Sequence, residues 1–189
     1  GFSSQGLFVG DTRICSELLL LVDGEAPEPL TVGVVGPGEA AFASRSADGA
    51  TFIRRCWRVG TGATCSIELL SRSQEARSVH VELAVTSDFA DLFALKDGRA
   101  PGRVQALREV GNDELRLERA DGRRGLVLGV RAGDDGDSTA EEQASEAGLA
   151  WEVHLPPRGR WHCELTLAAL RDGEAIEVSP RSWVHAHGD

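Results

Sequence analysis

Ser78-Val79-His80-Val81-Glu82-Leu83-Ala84-Val85-Thr86 is the stretch on which the fold turns. Its apolar members, Val79, Val81, Leu83 and Val85, fall at every second position, while His80, Glu82, Ala84 and Thr86 take the other side. A period of two belongs to a strand with one face buried and one face in water. The same alternation runs through Thr51–Val59, with Ile53, Trp57 and Val59 on one side. It recurs at Cys65, Ile67 and Leu69, at Leu115 and Leu117, and at Leu126, Leu128 and Val130. Leu149, Trp151, Val153 and Leu155 repeat it, as do Trp161, Cys163, Leu165 and Leu167. Turn signals separate the runs: Asp23-Gly24, Pro37-Gly38, Asp48-Gly49, Gly60-Thr61-Gly62, Asp121-Gly122 and Pro157–Gly159. Roughly ten to twelve short strands at this spacing predict an all-β protein. The expected architecture is a large antiparallel, supersandwich-like β-sandwich forming one domain over residues 1–170.

Composition narrows the function. The chain of 189 residues carries 30 acids against 20 bases, a net charge of −10. Nucleic acid and anionic membrane surfaces are poor partners for such a chain, because contact with phosphates relies on positive charge to release counterions. The longest apolar run, Leu18-Leu19-Leu20-Leu21-Val22, fits a buried strand and falls far short of the roughly 18 residues of a membrane span. Cys15, Cys56, Cys65 and Cys163 include no C-x-x-C pair and read as free buried thiols, with a Cys56–Cys65 bridge across a turn as the alternative. No secretory signal precedes Gly1 and methionine is absent, which reads as a piece cut from a longer chain.

Two stretches break the alternation. Asp134–Ala147 (DDGDSTAEEQASEA) is acidic and reads as a solvated loop or a short frayed helix. Residues 171–189 read as a linker with one last strand at Ala175–Val178.

Thr86–Phe93 (TSDFADLF) follows directly on the opening strand and asks whether the chain performs chemistry or supports it. Thr86, Ser87 or Asp88 can cap a helical turn near 88–93; with Asp88 at the cap, Asp91 falls three residues on, beside the free N–H groups. Phe89, Leu92 and Phe93 then share a face and plug the end of the sandwich. The functional alternative sets Asp88 or Asp91 on a sugar or an ion.

Catalytic patterns are otherwise scarce. There is no G-x-S-x-G, P-loop or G-x-G-x-x-G, and no His/Cys cluster with metal-ligand spacing beyond His185-x-His187, so no cofactor or metal is expected. Three strands carry His and Glu two apart on their outward side: His80 with Glu82, Glu152 with His154, and His162 with Glu164. Such pairs can do acid–base work on a sugar, or simply solvate a strand face. Trp57, Trp151 and Trp161 fall on apolar faces and are expected in the core, leaving Trp183 as the free tryptophan.

Gly6-Leu7-Phe8-Val9-Gly10-Asp11-Thr12-Arg13 resembles the motif that opens the N-terminal domain of bacterial glycogen debranching enzymes of the amylo-α-1,6-glucosidase type. Val22–Pro27, Arg55-x-Trp57-Arg58-Val59-Gly60, Cys65–Leu69, Ser87–Phe93 and Leu155-Pro156-Pro157-x-Gly159-x-Trp161 match the same family in order. The resemblance implies a β-sandwich that precedes an (α/α) barrel, with the catalytic carboxylates in that barrel and none here. It implies a cytoplasmic glycoside hydrolase as the parent, the parent's own C-terminal barrel as partner, and branched α-glucan as a possible ligand. Residues 171–189 would then lead toward the catalytic domain. Asp11, Arg13, Asp88 and Asp91 would brace the loops facing the barrel, with an Asp11–Arg13 contact as the simplest brace. The rival readings are a stand-alone carbohydrate-binding module and a mutarotase-like epimerase using the His/Glu pairs.

Overall fold

The computed structural model describes residues 5–60, 62–99, 106–111, 113–133, 138–145 and 148–176. Their strands, in chain order, are β1 (Leu7–Val9), β2 (Thr12–Cys15), β3 (Glu17–Val22), β4 (Glu28–Gly36) and β5 (Glu39–Arg45). There follow β6 (Thr51–Val59), β7 (Ala63–Ser71), β8 (Arg77–Thr86), β9 (Ala106–Val110) and β10 (Glu114–Arg119). The last are β11 (Arg124–Gly133), β12 (Thr139–Ala144), β13 (Gly148–Leu155), β14 (Arg160–Arg171) and β15 (Glu174–Ala175), with one short helix, α1 (Leu92–Lys96), after β8.

Every pairing between these strands is antiparallel. A large sheet runs β4-β5-β6-β7-β14-β11-β10-β9, with β15 added beside β14, and a small sheet runs β12-β13-β8-β3. Alternation dictates the sandwich. Val79, Val81, Leu83 and Val85 of β8 are buried against the inner face of the large sheet, which offers Ile67, Leu69, Trp161, Cys163, Leu165 and Leu128. Trp151 of the small sheet meets Trp161 of the large one with ring centroids 6.0 Å apart and planes tilted by 45°. That contact adds about 1 kcal/mol to what the buried area contributes. At the start of β13, Gly148 lies so close to β8 that a Cβ there would fall 1.5 Å from the Leu83 carbonyl oxygen, so no larger residue fits.

The two sheets differ in width. At about 4.8 Å between strands, eight strands span roughly 34 Å and four span roughly 14 Å. The mismatch shows along one cross-strand row of the inner face, Val34-Ala40-Trp57-Cys65-Leu165-Val130. Cys65 and Leu165, in the middle, are fully buried, Trp57 is half-buried, and Val34 at the edge is 85% exposed. Trp57 therefore corrects the expectation of a core residue: it packs on the margin of the core, where the small sheet ends. Trp151 and Trp161 are buried as expected.

Two other expectations change, and the alternative of a Cys56–Cys65 bridge closes. Thr139–Ala144, within the acidic stretch, is strand β12 and pairs with β13 from Thr139↔His154 to Ala144↔Leu149. Backbone pairing needs no apolar side chain at a sheet edge, and charge on an edge strand deters a further strand. The helix begins at Leu92 and not near 88, because Phe89 sits at φ 46°, outside helical geometry. Phe89 is the buried plug, while Phe93 is 56% exposed. Finally, Cys56 is opposite Ser66 and Cys65 opposite Trp57, one residue out of register, so the two side chains stand on opposite faces. All four cysteines are free. Residues 134–137, 177–189 and the candidates Trp183, His185 and His187 lie outside the described residues.

Burial pushes the thiols of Cys65 and Cys163 up to about 12 and that of Cys15 up to about 11, whereas Cys56 is half-buried on the outer face. A thiol reagent should therefore titrate Cys56 in the native protein and all four cysteines after unfolding without reductant. Finding only two free thiols in the unfolded, unreduced chain would contradict this register.

Candidate functional site

The residues singled out by sequence meet at one end of the sandwich. β2 carries Arg13 into the interior, where its side chain is 5% exposed. Its Nε donates to Asp88 Oδ1 at 3.0 Å and its Nη2 to Asp88 Oδ2, a two-pronged pair between residues 75 apart in sequence. Nη1 donates to the Gln5 carbonyl at 2.9 Å. The planar guanidinium suits this geometry, since two parallel N–H groups match two carboxylate oxygens. Gly6 leaves the room: a Cβ there would lie 2.6 Å from Arg13 Cδ.

Backbone bonds hold the same segments together. Arg13 N–H donates to Ala90 O, Ser16 N–H to Thr86 O and Leu92 N–H to Asp11 O, at 2.8 to 2.9 Å. Ser87 Oγ donates to Arg13 O at 3.3 Å and accepts from Phe89 N–H at 3.2 Å. Asp91 caps α1, accepting from Phe93 N–H at 2.9 Å and Ala94 N–H at 3.1 Å. On the far side of β2, Arg124 Nη1 of β11 donates to Thr12 Oγ1, which ties this end to the large sheet.

Arg13 thus has Asp88, and not Asp11, as its carboxylate. Asp88 does not cap the helix; Asp91 does. Asp11 is exposed and joins the knot through its backbone carbonyl. Spacing favoured an Asp11–Arg13 contact because the two lie on one side of an extended segment, but the turn that brings Asp88 alongside β2 is a tertiary feature. Burial by itself pushes the Asp88 carboxyl up. The Arg13 hydrogen bonds, the Ala90 N–H and the guanidinium charge outweigh it and hold the group below the ordinary carboxylate value.

Two of the three histidine pairs meet on one outer face, and the third lies on the other. His80 and Glu152 are cross-strand neighbours on the outer face of the small sheet, with Nδ1 3.6 Å from Oε2 and both side chains open to water. His154 shares that face. His162 lies between buried Trp161 and Cys163 and so stands on the outer face of the large sheet, its ring against Gly133. The three histidines are therefore divided between the two outer faces of the sandwich. Among the described residues, no group of three or more His, Cys, Asp and Glu is placed to hold a metal ion.

A second feature was missed by sequence reasoning. A hollow of about 540 Å³ opens among β4–β7 and β14, lined in part by Glu39, Arg54, Arg58, Ser66, Glu164 and Thr166. These alternate with the inward residues, so only the pairing of distant strands brings them together. Glu39 and Arg58 already pair at 2.8 Å.

Three comparisons bear on this architecture. Residues 1–166 match the family described as the N-terminal domain of (some) glycogen debranching enzymes. The chain is also similar to the recombination protein RecR of Jannaschia sp., 29% identical over 147 residues that cover 70% of this chain and 65% of that one. RecR of Cereibacter sphaeroides is 30% identical over 151 residues, 69% of this chain and 75% of that one. The chain spans about 65% of the length of the first of these relatives. Among solved structures, heparinase III has a TM-score of 0.46 at 5% identity and covers 81% of this chain and 23% of that one. Heparan sulfate lyase HepC, as a mutant from Pedobacter heparinus, has a TM-score of 0.41 at 9% identity and covers 85% of this chain and 29% of that one. Scores at this level add nothing on activity. The family match and the RecR likeness disagree, and the family match decides. It takes in both halves of the Arg13–Asp88 pair and the motifs that form the knot, at Gly6–Arg13 and Ser87–Phe93.

Asp88→Ala leaves a buried guanidinium without its carboxylate and should cost about 3 kcal/mol, a fall in Tm of roughly 10 °C for a chain of this size. The lowered Asp88 value also sets the pH dependence. The stabilisation is present above the unfolded carboxylate value, about pH 3.9, and is lost as pH falls through the folded value. Thermal unfolding from pH 7 to pH 2 should show the gap between wild type and variant narrowing below about pH 4. A gap that stays constant across that range would assign the loss to packing instead.

Proposed function

Because the chain belongs to the family of N-terminal domains of (some) glycogen debranching enzymes, we propose that it is the non-catalytic β-sandwich domain of a glycogen-debranching glycoside hydrolase of the amylo-α-1,6-glucosidase type. In this reading it is seated on an (α/α) barrel that carries the catalytic carboxylates, and it helps to shape the site for branched α-glucan. One observation carries the proposal: the two acids of the Ser87–Phe93 motif are already committed to structure. Asp88 is held by Arg13, and Asp91 holds the first turn of α1. A general acid or nucleophile must present its carboxyl to substrate, and hydrolysis of a glycosidic bond needs two carboxyls facing one another across that bond. Four free thiols support a reducing compartment such as the cytoplasm.

The RecR likeness favours a second reading, a role in recombination with nucleic acid as partner. The net charge of −10 opposes it, since phosphate contacts draw on an excess of Lys and Arg.

Two assays separate these readings. Residues 1–189 incubated with an α-1,6-branched glucan should release no glucose, while a longer chain carrying the barrel should release it. Turnover by residues 1–189 alone would overturn the proposal. In a gel-shift assay at low salt the domain should leave DNA unretarded, and a shifted band would turn the argument toward recombination.

A further inference from the structure

We propose that the hollow on the outer face of the large sheet is a binding trough for a neutral glucan chain. The inference rests on the functional reading above and adds to it a surface and a mode of recognition.

Register builds the hollow. Gly33, Ala41, Cys56, Ser66 and Glu164 lie side by side across β4, β5, β6, β7 and β14. Directly paired residues share a face, and this is the face turned away from buried Cys65 and Ile67. The first four residues are small, so their row forms a floor. Taller rows stand two residues along the strands on either side, with Glu39 and Arg58 in one and Arg54 and Glu68 in the other. Each lies roughly 7 Å from the floor, and four strand spacings make the floor roughly 19 Å long. The result is the hollow of about 540 Å³. Its shape suits a short run of a narrow polymer laid across the strands.

The lining decides the chemistry of that polymer. Its charged side chains are two acids, Glu39 and Glu164, and two bases, Arg54 and Arg58, on a chain that is −10 as a whole. A polyanion would meet the carboxylates and a polycation the guanidiniums, so neither suits the trough. Glu39 and Arg58 satisfy each other at 2.8 Å. Arg54 and Glu164 make no hydrogen bond or ion pair among the described residues, and neither do the hydroxyls of Thr64, Ser66 and Thr166. On a plain solvated face such charges pair across strands, as Arg45 does with Glu28 one row beyond Arg54. A guanidinium only donates and a carboxylate only accepts. An alcohol does both, so a chain of sugar hydroxyls serves Arg54, Glu164 and the hydroxyls between them at once.

Trp57 packs on the opposite side, at the margin of the core. No ring in the lining therefore stacks on a sugar, and hydrogen bonds carry the recognition. Such binding is weak, with a Kd on the order of 1 mM. Tethering to a catalytic domain that holds the same polymer raises the effective concentration to that range.

Cys56 supplies the readout, because it lies in the floor and is the thiol that reacts in the native protein. Maltoheptaose, a linear α-glucan, should slow the labelling of Cys56 in residues 1–189. At about ten times its Kd the rate should fall about tenfold. Arg54→Ala and Glu164→Ala should each raise that Kd about tenfold, whereas Arg45→Ala, outside the lining, should leave it unchanged. If calorimetry shows maltoheptaose bound while Cys56 reacts at its free rate, the sugar sits elsewhere and the trough is overturned. Absence of both binding and protection overturns it as well. If heparin, an anionic polysaccharide, protects Cys56 and maltoheptaose does not, the ligand class is wrong and the proposal falls. None of these failures touches the functional reading, which glucose release by the longer chain tests separately.

Discussion

Four strands cannot cover eight. This mismatch of widths governs the rest of the molecule, because the inner face of the large sheet is apolar well beyond the reach of the small one. Uncovered apolar surface costs about 25 cal/mol per Å², so each flank has to find a cover. On the β10–β11 side the cover is local. The β1–β2 hairpin and the segment after β8 fold over the end of the sandwich, bringing Ile14, Cys15 and Phe89 into the main core. On the β4–β5 side no described element provides one, and the sheet runs out as an open wing.

The covered flank explains why a charged pair sits inside a β-sandwich. The segment from Thr86 to Asp91 has left the strand and not yet entered the helix, so its backbone groups need partners from elsewhere. β2 supplies them through Arg13 and Asp11, and the Arg13–Asp88 pair clamps the two segments together. Such a pair is weak evidence for stability in itself, since desolvation offsets much of the attraction. What it specifies is position: the five donors of the guanidinium and the two oxygens of Asp88 admit few other arrangements. Phe89, held at positive φ, can then drop into the core. The same logic commits Asp91 to the helix N-terminus. A motif dense in carboxylates thereby becomes a structural joint.

Edges tell a related story. β12 is guarded by acids; partial burial and then the nearby Asp113 push the carboxyl of Glu142, opposite Trp151, up. β4 is guarded by a proline and two bulges but left apolar on its face. The proline and the bulges discourage addition of a further strand at that edge.

By itself, the sequence determined the all-β class, the inward rows of β7, β8, β11, β13 and β14, and the burial of Trp151 and Trp161, because a period of two and spaced turn residues are local signals. The motifs at Gly6–Arg13 and Ser87–Phe93 were legible without coordinates, but not the contacts between them. Only the tertiary structure decided which aspartate faces Arg13, that Asp91 and not Asp88 caps the helix, that Cys56 and Cys65 stand on opposite faces, and that acidic Thr139–Ala144 forms an edge strand. It alone revealed the hollow at Arg54, Ser66 and Glu164, and the exposure of Val34 and Trp57 on the same side as buried Cys65. The reason is physical. Alternation records which side of a strand is apolar, but whether that side is covered depends on how many strands lie opposite it, and those strands come from distant parts of the chain.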